Sequence, residues 1–248
     1  MKLLGYRREN GTFGIRNHIL VIPTSVCASD TAAKIAAQVP GAVSLPNQHG
    51  CCQIGSDLEL TKATLAGFGK NPNVGAVLVV GLGCDGIIAR DLADEIATSG
   101  KSVECIVIQE NKGTLNTIAK GAEILRKQAE KLSTQQKEEF DMKHLVVGLE
   151  CGGSDPTSGL ASNPSIGIAS DMVVDNGGST ILSETTEVIG AEHILAKRFE
   201  DEVEREEFLK FVNDVEKRAL DMGEDLRSGQ PTPGNKVGGL STIEAKSL

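Results

Sequence analysis

The sequence predicts an α/β protein with a Rossmann-like, mainly parallel sheet flanked by helices, then a peripheral acidic helix and an irregular C-terminal tail. Three observations carry this. Short runs rich in valine and isoleucine alternate with segments of helical period. Most of those runs are apolar on consecutive residues, as strands covered on both faces are. The helical segments open at small or acidic residues.

The predicted strands are His18 to Pro23, Ala42 to Leu45, Ala76 to Gly81, Val103 to Ile108, Lys143 to Leu149 and Thr180 to Ser183. Helices are expected at Asp30 to Gln38, Ser56 to Phe68, Ile87 to Thr98 and Thr114 to Lys131. The last sets Leu115, Ile118, Ala122, Leu125, Ala129 and Leu132 on one core-facing stripe. Residues 133–142 form a polar bridge, which divides the chain into a first α/β block over 1–135 and a second over 143–248, unless both belong to one domain. Asp201 to Leu220 is acidic, with a partial apolar face from Val203, Phe208, Phe211, Val212 and Val215. From Ser228 to Leu248, Pro231, Pro233, Gly234, Gly238 and Gly239 break any period, and a loop or tail is expected. No internal repeat is found.

Length allows a real apolar core at 248 residues. A net charge of −9, one tyrosine and no tryptophan argue against nucleic acid as a partner. No run approaches the roughly 18 apolar residues of a membrane helix, and the N-terminus is too short in apolar length for a signal peptide. A cytoplasmic protein is expected. Its six cysteines then read as buried thiols or metal ligands rather than a disulfide framework.

Ligands of such sheets gather at the carboxyl ends of the strands. There the sequence places Thr24, Ser25 and Cys27; Asn47, His49, Cys51 and Cys52; Gly83, Cys84 and Asp85; Gln109 and Glu110; and the polar, glycine-rich loop from Leu149 to Gly167. In that loop glycines let backbone approach a ligand, while Cys151, Ser154 and Asp155 supply a soft ligand, a hydroxyl and a charge. Cys51, Cys84 and Cys151 with His49 are candidate ligands for iron or zinc, or for an iron–sulfur cluster. Buried free cysteine explains any one of them as well. The runs Gly81 to Gly86 and Gly177-Gly178-Ser179 suit tight turns better than a nucleotide, because Asp85 would repel a pyrophosphate and no P-loop lysine is present. His18 and His144 open strands and read as structural; His49 and His193 lie in more exposed contexts. Glu184 and Glu187 follow a strand and could share an edge with Asp155, although a helix N-terminus explains acids there equally. Arg16 precedes a buried strand and could fork onto a carboxylate; Arg7, Arg8 and Lys236 complete the cationic set.

Gly5-Tyr6-Arg7-Arg8 with Gly14-Ile15-Arg16-Asn17, His49-Gly50-Cys51, Pro72-Asn73-Val74, Gly81-Leu82-Gly83-Cys84, Cys151-Gly152-Gly153-Ser154-Asp155 with Ser158-Gly159 and Asn163-Pro164, Ser183-Glu184, Gly190-Ala191-Glu192, Pro233-Gly234-Asn235-Lys236 with Gly238-Gly239, and Lys246-Ser247-Leu248 run in order through the chain. Together they resemble the altronate and galactarate dehydratase (UxaA) family. The resemblance implies a hydro-lyase converting a 2,3-dihydroxy acid to a 2-keto-3-deoxy acid with a divalent metal, usually Fe2+. It locates the loops without assigning roles. On it we expect Cys51, Cys84 and Cys151 at the metal, with His49 beside them. Arg16, Asn17, Ser154, Asn163 and Lys236 would meet the anionic hydroxy acid, and His49, Asp155, Glu184 and Glu187 would serve proton transfer. Members usually carry a small SAF-type domain, fused or as a partner subunit, and run beyond Lys-Ser-Leu; this chain reads as the core without those parts. A homo-oligomer is expected. Two alternatives stay open: the large-subunit part of a sulfolactate sulfo-lyase, and a non-catalytic ligand-binding or assembly module.

Overall fold

A computed structural model describes residues 2–240 and 242–243. It divides into two compact units, Lys2–Asp141 and the residues from Met142 onward.

In the first unit, strands β3 (His18–Pro23), β4 (Ala42–Ser44), β5 (Val74–Gly81) and β6 (Ser102–Val107) form a parallel sheet of order β4-β3-β5-β6. Side chains alternate between its faces. Ile19, Val21, Ala76, Leu78 and Val80 meet Ala32 and Ile35 of helix α1 (Val26–Ala36) and Leu125 and Leu132 of α4 (Thr114–Ser133). Leu20, Ile22, Val77 and Val79 meet Leu65 of α2 (Gly55–Lys70) and Leu92 and Ile96 of α3 (Ala89–Ala97). Both faces are covered, so both must be apolar, and β5 is buried along its whole length. Each fully buried side chain of this size contributes roughly 1.5–3 kcal/mol.

A second, antiparallel sheet joins β1 (Lys2–Arg7) to β2 (Phe13–Gly14) and to β7 (Glu138–Asp141). The sequence reading places no strand here, and it takes residues 133–142 as a bridge. Phe140 decides the matter: it is buried and stacks on Phe13 with ring centroids 4.9 Å apart. One aromatic among acids makes too short an alternation to read as a strand.

In the second unit, β8 (Val146–Leu149) and β9 (Ser179–Leu182) pair in parallel through the crossover helix α5 (Asn163–Asp175). The expected loop from Leu149 to Gly167 is therefore loop only as far as Asp155. A π-helical turn covers Ser158–Ser162, and α5 follows with Pro164 in its first turn, where a missing N–H does no harm. No residue of α5 is buried, and Val146, Ile168, Met172 and Ile181 are exposed.

Past β9 come the short α6 (Glu192–Leu195) and the acidic α7 (Glu202–Asp221), capped by Asp201, which accepts from the N–H groups of Val203 and Glu204. Val212 of α7 is fully buried against Val188 and Ile189. The region expected to be irregular holds α8 (Leu226–Gly229) and α9 (Pro233–Val237), each about one turn and too short to show a period. Lys246, Ser247 and Leu248 of the resemblance lie outside the described residues. Among those described, no helix is long and apolar enough to cross a membrane.

Candidate functional site

The chain leaves β3 for β4 on one side and then for β5 on the other, so the carboxyl ends of β3 and β5 flank a switch point, the usual ligand crevice of an open α/β sheet. Three loops meet there. The N–H of Val26 donates to the His49 carbonyl at 2.9 Å, and the N–H of Gly86 to the Gly50 carbonyl at 3.1 Å. Buried Asn47 donates from Nδ2 to the Pro23 carbonyl at 3.2 Å and accepts the His49 N–H at 2.9 Å. Gly50 has φ +82°, and a Cβ on it would lie 2.0 Å from the Thr24 carbonyl oxygen, so only glycine fits.

Asp85 fills the cradle that a nucleotide loop would offer to phosphate. Its Oδ2 accepts the N–H groups of Leu82 at 2.7 Å and Gly83 at 3.1 Å, and its Oδ1 accepts the Ser25 hydroxyl. The imidazole of His49 and the thiols of Cys27, Cys51, Cys52 and Cys84 are exposed on these loops. Cys51 Sγ lies 3.9 Å from Cys52 Sγ. Hydrogen bonding and charge from Cys52, and then from Cys27, push the Cys51 thiol up to about 11.

The expectation of buried thiols does not hold. Five of the six cysteines are exposed because they lie beyond strand ends; only Cys105, inside β6, is half-buried, and burial raises its pKa.

The second unit brings together Cys151, Glu184 and Glu187, whose ligand atoms all lie within 4.8 Å of one another, the one such group among the described residues. Strand register explains the meeting. Leu149 pairs with Leu182, so Cys151 and Glu184, each two residues further on, leave the sheet side by side. The turn Thr185–Val188 then returns Glu187, whose N–H donates to the Glu184 carbonyl at 2.9 Å. Glu184 has φ +64°, a left-handed conformation that costs a non-glycine residue about 1 kcal/mol or more. Beside the cluster, Ser183 Oγ donates to Glu150 Oε2 at 2.6 Å.

Asp155 caps the turn leading to α5. Its Oδ1 accepts from the N–H of Thr157 at 2.7 Å and from its hydroxyl at 2.6 Å, which holds this carboxyl below the usual carboxylate range. Ser154 is partly exposed, Asn163 opens α5, and Lys236 is exposed on α9. Just past α9, a Cβ on Gly238 would lie 3.2 Å from Pro156, so this segment rests beside Asp155.

Arg16 and Asn17 precede β3 at its amino end. The strand, roughly 20 Å long for its six residues, separates them from His49, Cys51 and Cys84. Asn17 Nδ2 donates instead to Gln135 Oε1 at 3.0 Å.

Residues 5–133 match the family described as D-galactarate dehydratase/Altronate hydrolase, second domain, and residues 142–248 match D-galactarate/Altronate dehydratase, C-terminal. The chain belongs to the D-galactarate/altronate dehydratase family. It is similar to the (2R)-sulfolactate sulfo-lyase subunit beta of Chromohalobacter salexigens, 40% identical over 99% of this chain and 62% of that protein. It is 34% identical to the altronate dehydratases of Bacillus subtilis and Escherichia coli, over 98% of this chain and 50% of each. The chain thus spans between half and two-thirds of the length of these relatives. One exposed thiol, one exposed carboxylate and one half-buried carboxylate form a donor set suited to a borderline divalent cation such as Fe2+ or Zn2+.

Proposed function

We propose that this chain is the core of a metal-dependent lyase acting on a small 2-hydroxy acid, with dehydration of a sugar acid such as altronate or galactarate as its reaction. The observation that carries the reading is the convergence of Cys151, Glu184 and Glu187 within 4.8 Å beyond the ends of β8 and β9. These residues would hold the cation, Fe2+ by family resemblance. When bound, it would supply Lewis acidity toward the carboxylate and 2-hydroxyl of the substrate.

The overall change removes the proton at C2 and hydroxide from C3, releases water, and leaves an enol that becomes a 2-keto-3-deoxy acid. Asp155, kept ionised by Thr157, is a fixed negative charge and a weak choice for delivering a proton to the leaving hydroxyl. His49, the exposed imidazole of the carboxyl-edge loops, stays a candidate for proton transfer on the first unit. Lys236 and Ser154, on segments beside Asp155, are assigned to the substrate's polar groups. Cys51 and Cys84 remain candidate soft ligands on the first unit.

A second reading is favoured by one comparison. Identity is higher to the sulfo-lyase subunit, at 40%, than to the altronate dehydratases, at 34%. The same C2 deprotonation with sulfite as the leaving group would give pyruvate from sulfolactate. That relative is a subunit by name, which supports a partner chain for this protein too.

The test is iron and acid-labile sulfide per chain after anaerobic incubation with Fe2+, followed by turnover of altronate, galactarate and sulfolactate. Iron without sulfide, with 2-keto-3-deoxy acid formed, supports the dehydratase; sulfite release moves the assignment to the sulfo-lyase. Iron with matching sulfide replaces the mononuclear centre by a cluster. No bound iron and no turnover would leave a non-catalytic module.

A further inference from the structure

At the amino edge of the β4-β3-β5-β6 sheet, opposite the carboxyl-edge loops, a cleft of about 110 Å3 is lined by Arg7, Arg8, Lys101 and Lys131, with Glu9 as the one acid in its wall. Arg8 is only 6% exposed. Its Nε donates to the Pro72 carbonyl at 2.8 Å and its Nη2 to the Arg16 carbonyl at 3.2 Å. Lys101 Nζ donates to the carbonyls of Gly69 at 2.9 Å and Asn71 at 2.5 Å. These partners are neutral. Among the described residues, none of the four cations forms an ion pair with a carboxylate. Burial, and then the charge of Arg8, lowers the Lys101 pKa to about 8, so the pair of cations is under-compensated where it sits.

Gln128 also lines this cleft and is 5% exposed. Its Nε2 donates to the Val77 carbonyl at 3.0 Å, which fixes the amide and leaves Oε1 a buried acceptor with no donor. A second such acceptor, Asn17 Oδ1, lies against Gly75 in the cleft wall. Buried acceptors are normally satisfied, so the Gln128 acceptor in the wall of a cationic cleft asks for a ligand that brings an O–H group as well as negative charge.

We propose that this cleft binds inorganic hydrogen phosphate. Its charged oxygens would meet Arg8 and Lys101, Arg7 and Lys131 would line the mouth, and its O–H would donate to Gln128 Oε1. Sulfate and the dianion of methyl phosphate match the charge but lack the donor. The position, at the far edge of the sheet from His49 and Cys84, makes the ion an effector or structural ligand, and the inference stands independently of the lyase reading.

The test is calorimetric titration of inorganic phosphate, sulfate and methyl phosphate into the full chain near pH 7.5, with the Gln128 side-chain amide followed by NMR. Variants are Lys101→Met and, on the exposed face of α4 where folding is indifferent to it, Lys131→Gln. Expected are tighter binding of phosphate than of either analogue, movement of the Gln128 and Lys101 resonances, and affinity about tenfold weaker in each variant. No binding, perturbations confined to other surfaces, equal affinity for all three anions, or unchanged affinity in both variants would overturn the proposal.

Discussion

The Ser25 hydroxyl donates to the Asp85 carboxylate across the switch point, tying the loop after β3 to the loop after β5. The carboxylate also accepts two N–H groups of its own glycine-rich loop. An internal anion thereby occupies the place that a nucleotide fold leaves open for phosphate. Ser25→Ala strips one donor from a part-buried carboxylate and should cost about 1–3 kcal/mol locally. The readout is faster hydrogen exchange at the Leu82 and Gly83 amides; unchanged protection would show that the hydroxyl is dispensable.

Gly50 is held by a harder constraint. At φ +82° with the Thr24 oxygen 2.0 Å from any Cβ, Gly50→Ala must displace backbone rather than a flexible side chain. A loss of more than about 3 kcal/mol is expected, seen as a lower denaturation midpoint of the first unit. A midpoint equal to that of the parent protein would refute the packing of this loop.

At the Cys151 cluster the expected changes separate stability from metal. Cys151→Ser and Glu184→Gln lie at exposed positions and should leave thermal unfolding within about 0.5 kcal/mol of the parent, while bound iron falls well below stoichiometric. Glu184→Gly should also lose iron, yet gain stability of about 0.5–1 kcal/mol, because glycine adopts φ +64° without strain. Full iron content in these variants would remove the cluster from the site.

Lys101 gives a pH signature. Its folded pKa, near 8, lies below its ordinary 10.5, so the unfolded chain holds more protons between those values and stability should rise with pH across that window. Below about pH 8 the penalty is fully present; above 10.5 both states are neutral and it is gone. Lys101→Met should flatten this rise, measured as urea midpoints from pH 7 to 11. An identical slope in the variant would mean that Lys101 is not under-compensated.

The expected iron site and the structure's thiol–carboxylate group overlap only at Cys151. Glu184 and Glu187 were legible as residues beyond a strand, and their acidity alone suited either proton transfer or a helix start. What joins them to Cys151 is the pairing of Leu149 with Leu182, a register between strands separated by a whole crossover helix. Counting two residues past each paired leucine would have found it, but only once the partner strands were known.

The sequence by itself determined the strands β3, β5 and β6 and the long helices α2 and α4, because doubly covered strands read as continuous apolar runs and one-sided helices carry a period of 3.6 in their apolar residues. It also located the loops at the carboxyl ends, through residues that no core would accept. Only the tertiary structure decided what those loops do together: that Asp85 satisfies its own glycine loop, that Arg16 stands at the opposite edge from His49, and that Arg8 and Lys101 share one cleft. Such facts depend on strand order and register, which are set by long-range burial and hydrogen bonding and leave no local period to read.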